Sequence, residues 1–256
     1  MRRIITLTTD FGLSDPYVGS MKGVIYSINP NALITDITHD IPSHDVFKAA
    51  FTLRNIIPYF PEGTVNVVIV DPGVGSSRRA IVVEADNKYY IGPDNGVFTF
   101  IYMDSKSYRV FEITNPKYML TNVRSTFHGR DIFAPVAGHI SIGVSIKDLG
   151  VGIKDPVKVE IKQPEIGSYE IVGEVIYVDS FGNLITNISG ELVNSGSQIY
   201  IDDIFIESVS KSYKDVPEGD ILAIIGSSGF LELSVNRGRA SDLIDAGTTK
   251  IYISTR

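Results

Sequence analysis

The chain has 256 residues, of which 43% are hydrophobic and 21% charged, a balance typical of a globular protein with one large domain or two ordinary ones. Its net charge of −7 argues against a protein that coats nucleic acid phosphates, although it is compatible with a cationic small substrate. The absence of cysteine excludes disulfides, thiolate metal sites and cysteine nucleophiles.

The first part of the chain alternates between strand and helix patterns. Its first strand is too short and too β-like for a signal peptide, and its longest apolar run is far below the roughly 20 residues of a membrane span, so we expect a cytoplasmic protein without a membrane partner. The expected strands are residues 4–9, 32–37, 64–70, 80–85 and 88–91. Four helices are expected. The first begins at Asp15–Pro16, the second begins after the cap Ser43, and the other two cover residues 94–103 and 131–142. This alternation predicts helices packed on a largely parallel sheet.

The pattern changes after about Lys154, where short strands are separated by Gly, Asn, Asp and Ser turns. The clearest of these strands are residues 170–178, 198–201, 221–225, 230–235 and 250–253. Such spacing predicts a small β-sandwich or β-barrel. We therefore expect an α/β protein with an N-terminal α/β domain, residues 1–160, and a smaller C-terminal β domain, residues 161–256.

Two polar clusters follow strands of the first domain, at the carboxyl ends where parallel sheets bind ligands. Asp10 lies directly after the first strand, and either caps the turn or accepts hydrogen bonds from two ribose hydroxyls. Asp71 leaves a buried strand and is followed by a glycine-rich turn that fits neither common phosphate-loop fingerprint. Asp71 either closes a tight turn or shares a pocket with Arg78, seven positions further on.

A third cluster, residues 127–131, contains His128 between an aromatic residue and Gly129, and precedes a predicted helix. Glycine at this position leaves room for a ligand beside the backbone. We expect the other histidines, His39 and His139 above all, to be structural or exposed. No spacing typical of a zinc or calcium site occurs, so we predict no metal.

In the second domain, the turns 179–183 and 226–229 are either ordinary turns or ligand contacts. The amide of Asn183 could read the edge of an adenine, because it offers both donors and an acceptor. The ring of Phe181 could stack on the base. Neither interpretation is specific by itself.

Taken in order, these five motifs resemble the S-adenosylmethionine hydroxide adenosyltransferase family, and the resemblance covers essentially the whole chain. The motifs are residues 9–12, 71–75, 127–131, 179–183 and 227–229. The resemblance implies a larger N-terminal α/β domain and a smaller C-terminal β domain. It also implies a homotrimer with each site at a subunit interface.

The resemblance also implies roles for individual residues. The water-activating Asp, Arg and His of the family correspond to Asp71, Arg78 and His128. Of the substrate-binding positions, Asp10 corresponds to the residue at the ribose, and Phe181 and Asn183 to those at the adenine. The positions at the methionine correspond to Asp179, Ser227 and Ser228. Further binding positions correspond to Glu232 and Val235, at the adenine end or the methionine end, and to Tyr17 and Phe127.

The reaction implied is attack of water at the ribose C5′ of S-adenosylmethionine, which gives adenosine and methionine. S-adenosylmethionine is then the substrate, no cofactor is needed, and adenosine is a product that the site can retain. Related halogenating enzymes carry Tyr in place of Asp71 and Tyr-Ser in place of His128–Gly129, which disfavours a halide adenosyltransferase. The other alternative is a sensor of adenosine or S-adenosylmethionine with little turnover.

Overall fold

The computed structural model describes residues 3–247 and 249–254 of the chain. They form two compact units, the first ending at Val159 and the second beginning at Glu160. The first unit combines a large sheet with helices, and the second is a nearly closed, barrel-like sheet. This architecture confirms the predicted α/β fold class. Along the described residues, no helix combines the length and the apolar character that crossing a membrane requires.

The strands of the first unit belong to one sheet. They are β1 (Ile4–Thr9), β2 (Leu33–Thr38), β3 (Val65–Ile69), β4 (Ala80–Ala85), β5 (Lys88–Pro93), β6 (Tyr108–Ile113) and β7 (Gly150–Ile153). The α-helices of this unit are α1 (Tyr17–Ile28), α2 (Val46–Ile56), α3 (Thr99–Asp104) and α4 (Ala134–Ser141).

The sheet has the order β2-β1-β3-β5-β4-β6-β7 and is parallel on one side only. β2, β1, β3 and β5 pair in parallel, whereas β4, β6 and β7 add antiparallel strands. The reversal occurs at Asp86–Asn87, where both residues have positive φ, as a tight hairpin turn requires. Successive residues of β3, such as Val67 and Val68, face two different hydrophobic clusters, so apolar side chains cover both faces of this strand.

The starts of three helices differ from the sequence prediction. The predicted cap of α2, Ser43, is wrong, because Asp45 caps this helix and accepts from the N–H of Lys48 at 2.8 Å. Asp15 does not cap α1 either, since Pro16 occupies the cap position of that helix. The helix predicted from residue 94 begins only at Thr99, because Gly96 has φ +97°, outside the helical region.

The helix predicted for residues 131–142 is in fact two elements. Residues 129–133 form a turn of π-helix, and α4 follows directly. Pro135 has no N–H to give to the carbonyl of Asp131, which accepts instead from the N–H of Leu120 at 2.9 Å. π-helical turns are frequent at functional sites, and this one directly follows His128.

The second unit consists of short strands around its own core. Its strands are β8 (Glu165–Ile166), β9 (Glu170–Val178), β10 (Leu184–Ser189), β11 (Gln198–Ile201), β12 (Ile204–Ile206), β13 (Val209–Ser210), β14 (Ile221–Ile225), β15 (Phe230–Val235) and β16 (Lys250–Ser254). They follow the order β12-β11-β16-β9-β10-β15-β14-β13, with β8 paired to β9. β12 also contacts β14, near the opposite edge, so the sheet nearly closes on itself. Nearly closed sheets leave few unpaired strand edges.

Candidate active site

A cavity of about 560 Å³ opens at the carboxyl ends of β1 and β3. Thr9 and Ile69 are paired across these strands, so Asp10 and Asp71 follow at the same edge of the sheet. The loop before the π-helical turn adds Phe127 and His128 to the wall. The volume of the cavity is within the range of small-molecule sites. The lining residues are Asp10, Phe11, Tyr17, Ser43, His44, Ile69, Asp71, Val74, Arg124, Thr126, Phe127, His128, Gly129 and Arg130.

Arg78 connects two residues of this wall. Its Nε lies 3.0 Å from both carboxylate oxygens of Asp71, and its Nη2 lies 2.5 Å from Oδ2 of the same carboxylate. The same Nη2 lies 2.7 Å from Nδ1 of His128. The side chains of Asp71 and Arg78 are only 5% and 10% exposed. The structure therefore brings together the three residues that the sequence predicts to be catalytic.

The contact with Arg78 fixes the protonation pattern of His128. A guanidinium has donors only, so Nδ1 of His128 must accept, and the proton of the neutral ring lies on Nε2. Burial and the Arg78 cation lower the pKa of His128 below its usual value, against the opposing effect of Asp71 and Asp131. His128 therefore presents an Nε2–H donor as long as its bond to Arg78 persists.

The turn between Asp71 and Arg78 is held by its glycines. The N–H of Gly73 donates to Oδ1 of Asp71 at 3.2 Å. Gly75 has φ +77°, and a Cβ there would lie 2.5 Å from the carbonyl oxygen of Ser125. The glycine therefore permits close contact between this turn and the loop that carries Phe127 and His128.

Asp10 is oriented by a neighbouring loop. Its Oδ2 accepts from the N–H of His44 at 3.0 Å, and His44 has φ +69°. In the described part of the chain, its Oδ1 has no hydrogen-bonded partner. One carboxylate oxygen is thus fixed by the protein, and the other remains available to a ligand.

Three aromatic rings from different segments form one wall of the cavity. Phe11, Tyr17 and Phe127 make mutual edge-to-face contacts with centroid distances of 5.2–6.0 Å. A Cβ on Gly129 would lie 3.2 Å from the ring of Phe127, so a side chain there would press on this wall. The predicted Tyr17 and Phe127 are therefore neighbours, while Phe11 was not predicted.

Asp131 is a buried residue that the sequence prediction missed. Its carboxylate accepts from the guanidinium of Arg130, with Nε 2.6 Å from Oδ1, and from the N–H of Arg124 at 2.7 Å. The guanidinium of Arg130 also lies 4.9 Å from the ring centroid of Phe127. Asp131 thus fixes both ends of the loop 124–130. The sequence signal was its place at the end of the motif 127–131, to which no role was attached.

In the second unit, Asp179 organises the turn between β9 and β10. Its Oδ1 accepts from the N–H groups of Phe181 and Asn183, both at 2.9 Å, and its Oδ2 accepts from Nδ2 of Asn183 at 2.9 Å. Gly182 has φ +85° and lies against Arg239. Phe181 as a whole residue is 74% exposed. The turn therefore presents an aromatic face and an oriented amide.

Glu232 belongs to a second polar group of this unit. Its Oε1 accepts from the hydroxyls of Tyr213 and Ser234 at 2.8 and 2.7 Å. Burial, with Glu232 and Asp179 nearby, raises the pKa of Tyr213 to about 12. Tyr213 was not predicted to belong to the site. The charges of both Glu232 and Asp179 act on its hydroxyl.

The remaining predicted residues of the second unit have different settings. Ser227 and Ser228 lie in the turn between β14 and β15, which a bond from the N–H of Gly229 to the carbonyl of Gly226 closes. A Cβ on Gly226 would lie 2.5 Å from Oε2 of Glu232, so this turn adjoins Glu232. The side chain of Val235 packs in the core of the unit. Nowhere in residues 3–247 and 249–254 do three His, Asp or Glu side chains gather as a metal site requires.

Two family models together match most of the chain. The SAM hydroxide adenosyltransferase N-terminal domain matches residues 5–150, and the C-terminal domain of the same family matches residues 173–251. The chain belongs to the SAM hydroxide adenosyltransferase family. The family predicted from the five motifs is thereby confirmed.

Several known proteins are similar to the chain over nearly its whole length. A protein of Methanocaldococcus jannaschii, named (R)-S-adenosyl-L-methionine hydrolase, is 37% identical over 94% of this chain and 92% of its own. A protein of Thermus thermophilus with the same name is 36% identical over 94% and 95%. The crystal structure of an uncharacterized conserved protein from Thermotoga maritima has a TM-score of 0.90 and 38% identity, covering 97% of this chain and 99% of that one. Relatives named fluorinase are more distant, at 24–27% identity.

Proposed function

We propose that this protein hydrolyses S-adenosylmethionine to adenosine and L-methionine. The observation that carries this proposal is the bridge from Asp71 through Arg78 to His128 at the wall of the cavity. The names of the relatives at 36–37% identity support the same reaction and extend the proposal to the (R) epimer of the sulfonium.

The reaction is a displacement at the ribose C5′. The oxygen of water forms a bond to C5′ while the bond from C5′ to sulfur breaks. The sulfur keeps the electron pair and becomes a neutral thioether, so the leaving group needs no general acid. One proton must leave the attacking water, and a positioned base typically contributes about 10²–10⁴-fold to such a step.

In this proposal Asp71 and His128 have different parts. Nδ1 of His128 already accepts from Arg78, so His128 holds the water through its Nε2–H and does not take its proton. The Asp71 carboxylate has acceptor capacity beyond its bonds to Arg78, and it receives the proton as attack proceeds. Arg78 holds the side chains of Asp71 and His128 in a fixed arrangement, and this positioning contributes to catalysis.

The remaining residues of the proposal recognise the substrate. Asp10 accepts from the ribose hydroxyls through the oxygen that His44 leaves available. Tyr17 and Phe127 provide an apolar wall beside the ribose and the sulfonium. The contacts proposed for the second unit are Asp179, Phe181, Asn183, Ser227, Ser228, Glu232 and Val235, through the turns 179–183 and 226–229 and the adjoining strand β15.

Further expectations belong to this proposal. S-adenosylmethionine is the substrate, and we expect no separate cofactor. The resemblance of the motifs implies a homotrimer with sites at subunit interfaces, which light scattering after size-exclusion chromatography would test. A cytoplasmic location is an expectation from the sequence.

The test is chromatographic analysis of the products from each sulfonium epimer, with and without added fluoride or chloride. We expect equimolar adenosine and methionine, faster from the (R) epimer, with no effect of halide. A 5′-halogenated nucleoside would overturn the hydrolase proposal in favour of halide transfer. Tight binding without products would overturn it in favour of a sensor.

A further inference from the structure

We propose that His39, acting through Thr9, is a positioning residue for the Asp10 carboxylate and thereby sets the preference of the site for a ribose with both hydroxyls. This inference rests on the proposed function only in so far as Asp10 binds the ribose of an adenosine-type ligand. His39 follows β2, does not line the cavity, and is 4% exposed.

The side chain of His39 holds the start of the turn that carries Asp10. Nδ1 of His39 lies 2.8 Å from Oγ1 of Thr9, a fully buried residue at the end of β1. Oγ1 of Thr9 accepts in turn from the N–H of Phe11 at 3.2 Å. This N–H belongs to the peptide that directly follows Asp10, so the chain of two bonds fixes the orientation of the Asp10 backbone.

The backbone of the His39 segment holds the other side of the same turn. The N–H of Gly12 donates to the carbonyl of His39 at 2.8 Å, and Gly12 has φ +65°. The N–H of Ile41 donates to the carbonyl of Thr9 at 3.3 Å. The turn 9–12 is therefore tied to residues 39–41 on both sides of Asp10.

The carboxylate of Asp36 lies beside the other nitrogen of the His39 ring. Nε2 of His39 lies 3.1 Å from Oδ1 of Asp36, although not aligned well enough for a hydrogen bond. Oδ2 of Asp36 accepts from Nζ of Lys22 at 2.6 Å. Burial raises the pKa of Asp36, but Lys22 and His39 outweigh this effect and lower it. A carboxylate beside Nε2 favours the ring proton on that nitrogen, so Nδ1 accepts from the hydroxyl of Thr9.

These contacts define the donor and the acceptor of each hydrogen bond between His39, Thr9 and Phe11. The Thr9 hydroxyl donates to His39 and accepts from Phe11, and both bonds are lost if its oxygen is removed. Loss of an orienting bond of this kind changes binding by about tenfold when the ligand depends on the oriented group. A ligand without ribose hydroxyls does not depend on Asp10, and its affinity should not change.

The test compares adenosine with 2′,3′-dideoxyadenosine by calorimetric titration of the full chain. The quantity of interest is the ratio of the two Kd values, here called the hydroxyl preference. We expect Thr9→Val and His39→Phe each to reduce this preference by about fivefold to tenfold. In an Asp10→Asn background, neither substitution should reduce it further.

Thr6→Val is the matched control. Thr6 lies on the same strand, is 1% exposed, and bonds through its hydroxyl to Oδ1 of Asn66 at 2.9 Å, away from the cavity. We expect this variant to lose stability but to keep the hydroxyl preference. Thr9→Val is nearly isosteric and carries the test if His39→Phe does not fold.

Two outcomes separate this inference from the proposed function. If Thr9→Val keeps the full hydroxyl preference, or if Thr6→Val loses it equally, the positioning role of His39 is refuted whether or not the protein hydrolyses S-adenosylmethionine. If wild-type protein releases no adenosine but its hydroxyl preference falls in Thr9→Val, only the hydrolase proposal fails. The KM for S-adenosylmethionine should rise in Thr9→Val with little change in kcat.

Discussion

Replacing Asp71 with Asn is the most informative single change in the proposed site. The amide is nearly isosteric with the carboxylate, but it has one acceptor oxygen, whereas Asp71 receives from Arg78 through both oxygens. It also cannot take a proton from water. Loss of a general base corresponds to about 10²–10⁴-fold in kcat, or roughly 3–5 kcal/mol in the activation free energy.

The same substitution must also affect stability, because Arg78 is only 10% exposed and loses part of its ion pair. Leaving a buried charge without its partner costs about 3–5 kcal/mol, and the remaining amide oxygen should reduce this cost. The assay is single-turnover release of adenosine, with adenosine affinity and Tm measured on the same preparations. We expect a kcat reduced by at least about 10²-fold and an adenosine Kd within about threefold of wild type.

Asp94→Asn provides a matched control. Asp94 is 1% exposed and pairs with Arg79, the residue after Arg78, but it does not line the cavity. We expect this variant to lose Tm in the same way and to keep its kcat. Unchanged turnover in Asp71→Asn, or equal losses of turnover in Asp71→Asn and Asp94→Asn, would refute the catalytic role of Asp71.

Three further predictions follow from single contacts. Since the pKa of His128 is lowered from 6.5, its ring stays neutral to lower pH, and kcat/KM should decrease with decreasing pH at a midpoint below pH 6.5. A midpoint above this value, or the same decrease in His128→Asn, would contradict the role of the neutral ring. Phe127→Leu removes two edge contacts of about 0.5–1.5 kcal/mol each, so KM should rise by roughly 5–150-fold, whereas a lower kcat at constant KM would argue against a wall. Gly182→Ala, at φ +85°, should cost about 1–3 kcal/mol in thermal unfolding, while Gly19→Ala, with open space around it, should not lower Tm; equal Tm values would contradict the strain.

The location of the site could be predicted because it depends on local patterns. The sequence of β3, apolar except for Asn66, identifies a buried strand, and residues that follow parallel strands meet at one sheet edge. Asp10 and Asp71 were therefore expected to be neighbours, and the pairing of Thr9 with Ile69 places them there.

The antiparallel half of the sheet could not be predicted in the same way. β7 contains two glycines and looks like a turn, and it forms a strand only because β6 offers an open edge. A Cβ on Gly150 would lie 1.9 Å from the carbonyl oxygen of Glu112, so only glycine permits β7 to pair with β6 here. The same glycine makes the segment resemble a turn in the sequence.

Contacts between distant segments were also beyond the sequence. Tyr213 is 19 positions from Glu232, and nothing in the local pattern indicates that their side chains meet. The consecutive residues Arg78 and Arg79 are chemically identical, yet the first pairs with Asp71 and the second with Asp94 and Asp155. The spacing suggested Arg78 as a partner of Asp71 and the family resemblance gave it a role, but neither predicted the partners of Arg79.

The central claim is that water attacks the ribose C5′ of S-adenosylmethionine. The most direct measurement is to incubate the protein with S-adenosylmethionine in ¹⁸O-labelled water and to determine the masses of the products. The proposed reaction predicts one ¹⁸O atom in the 5′-hydroxyl of adenosine, with unlabelled methionine released in equal amount. Adenosine without label, or no adenosine from a protein that still binds the ligand, would contradict the proposed reaction.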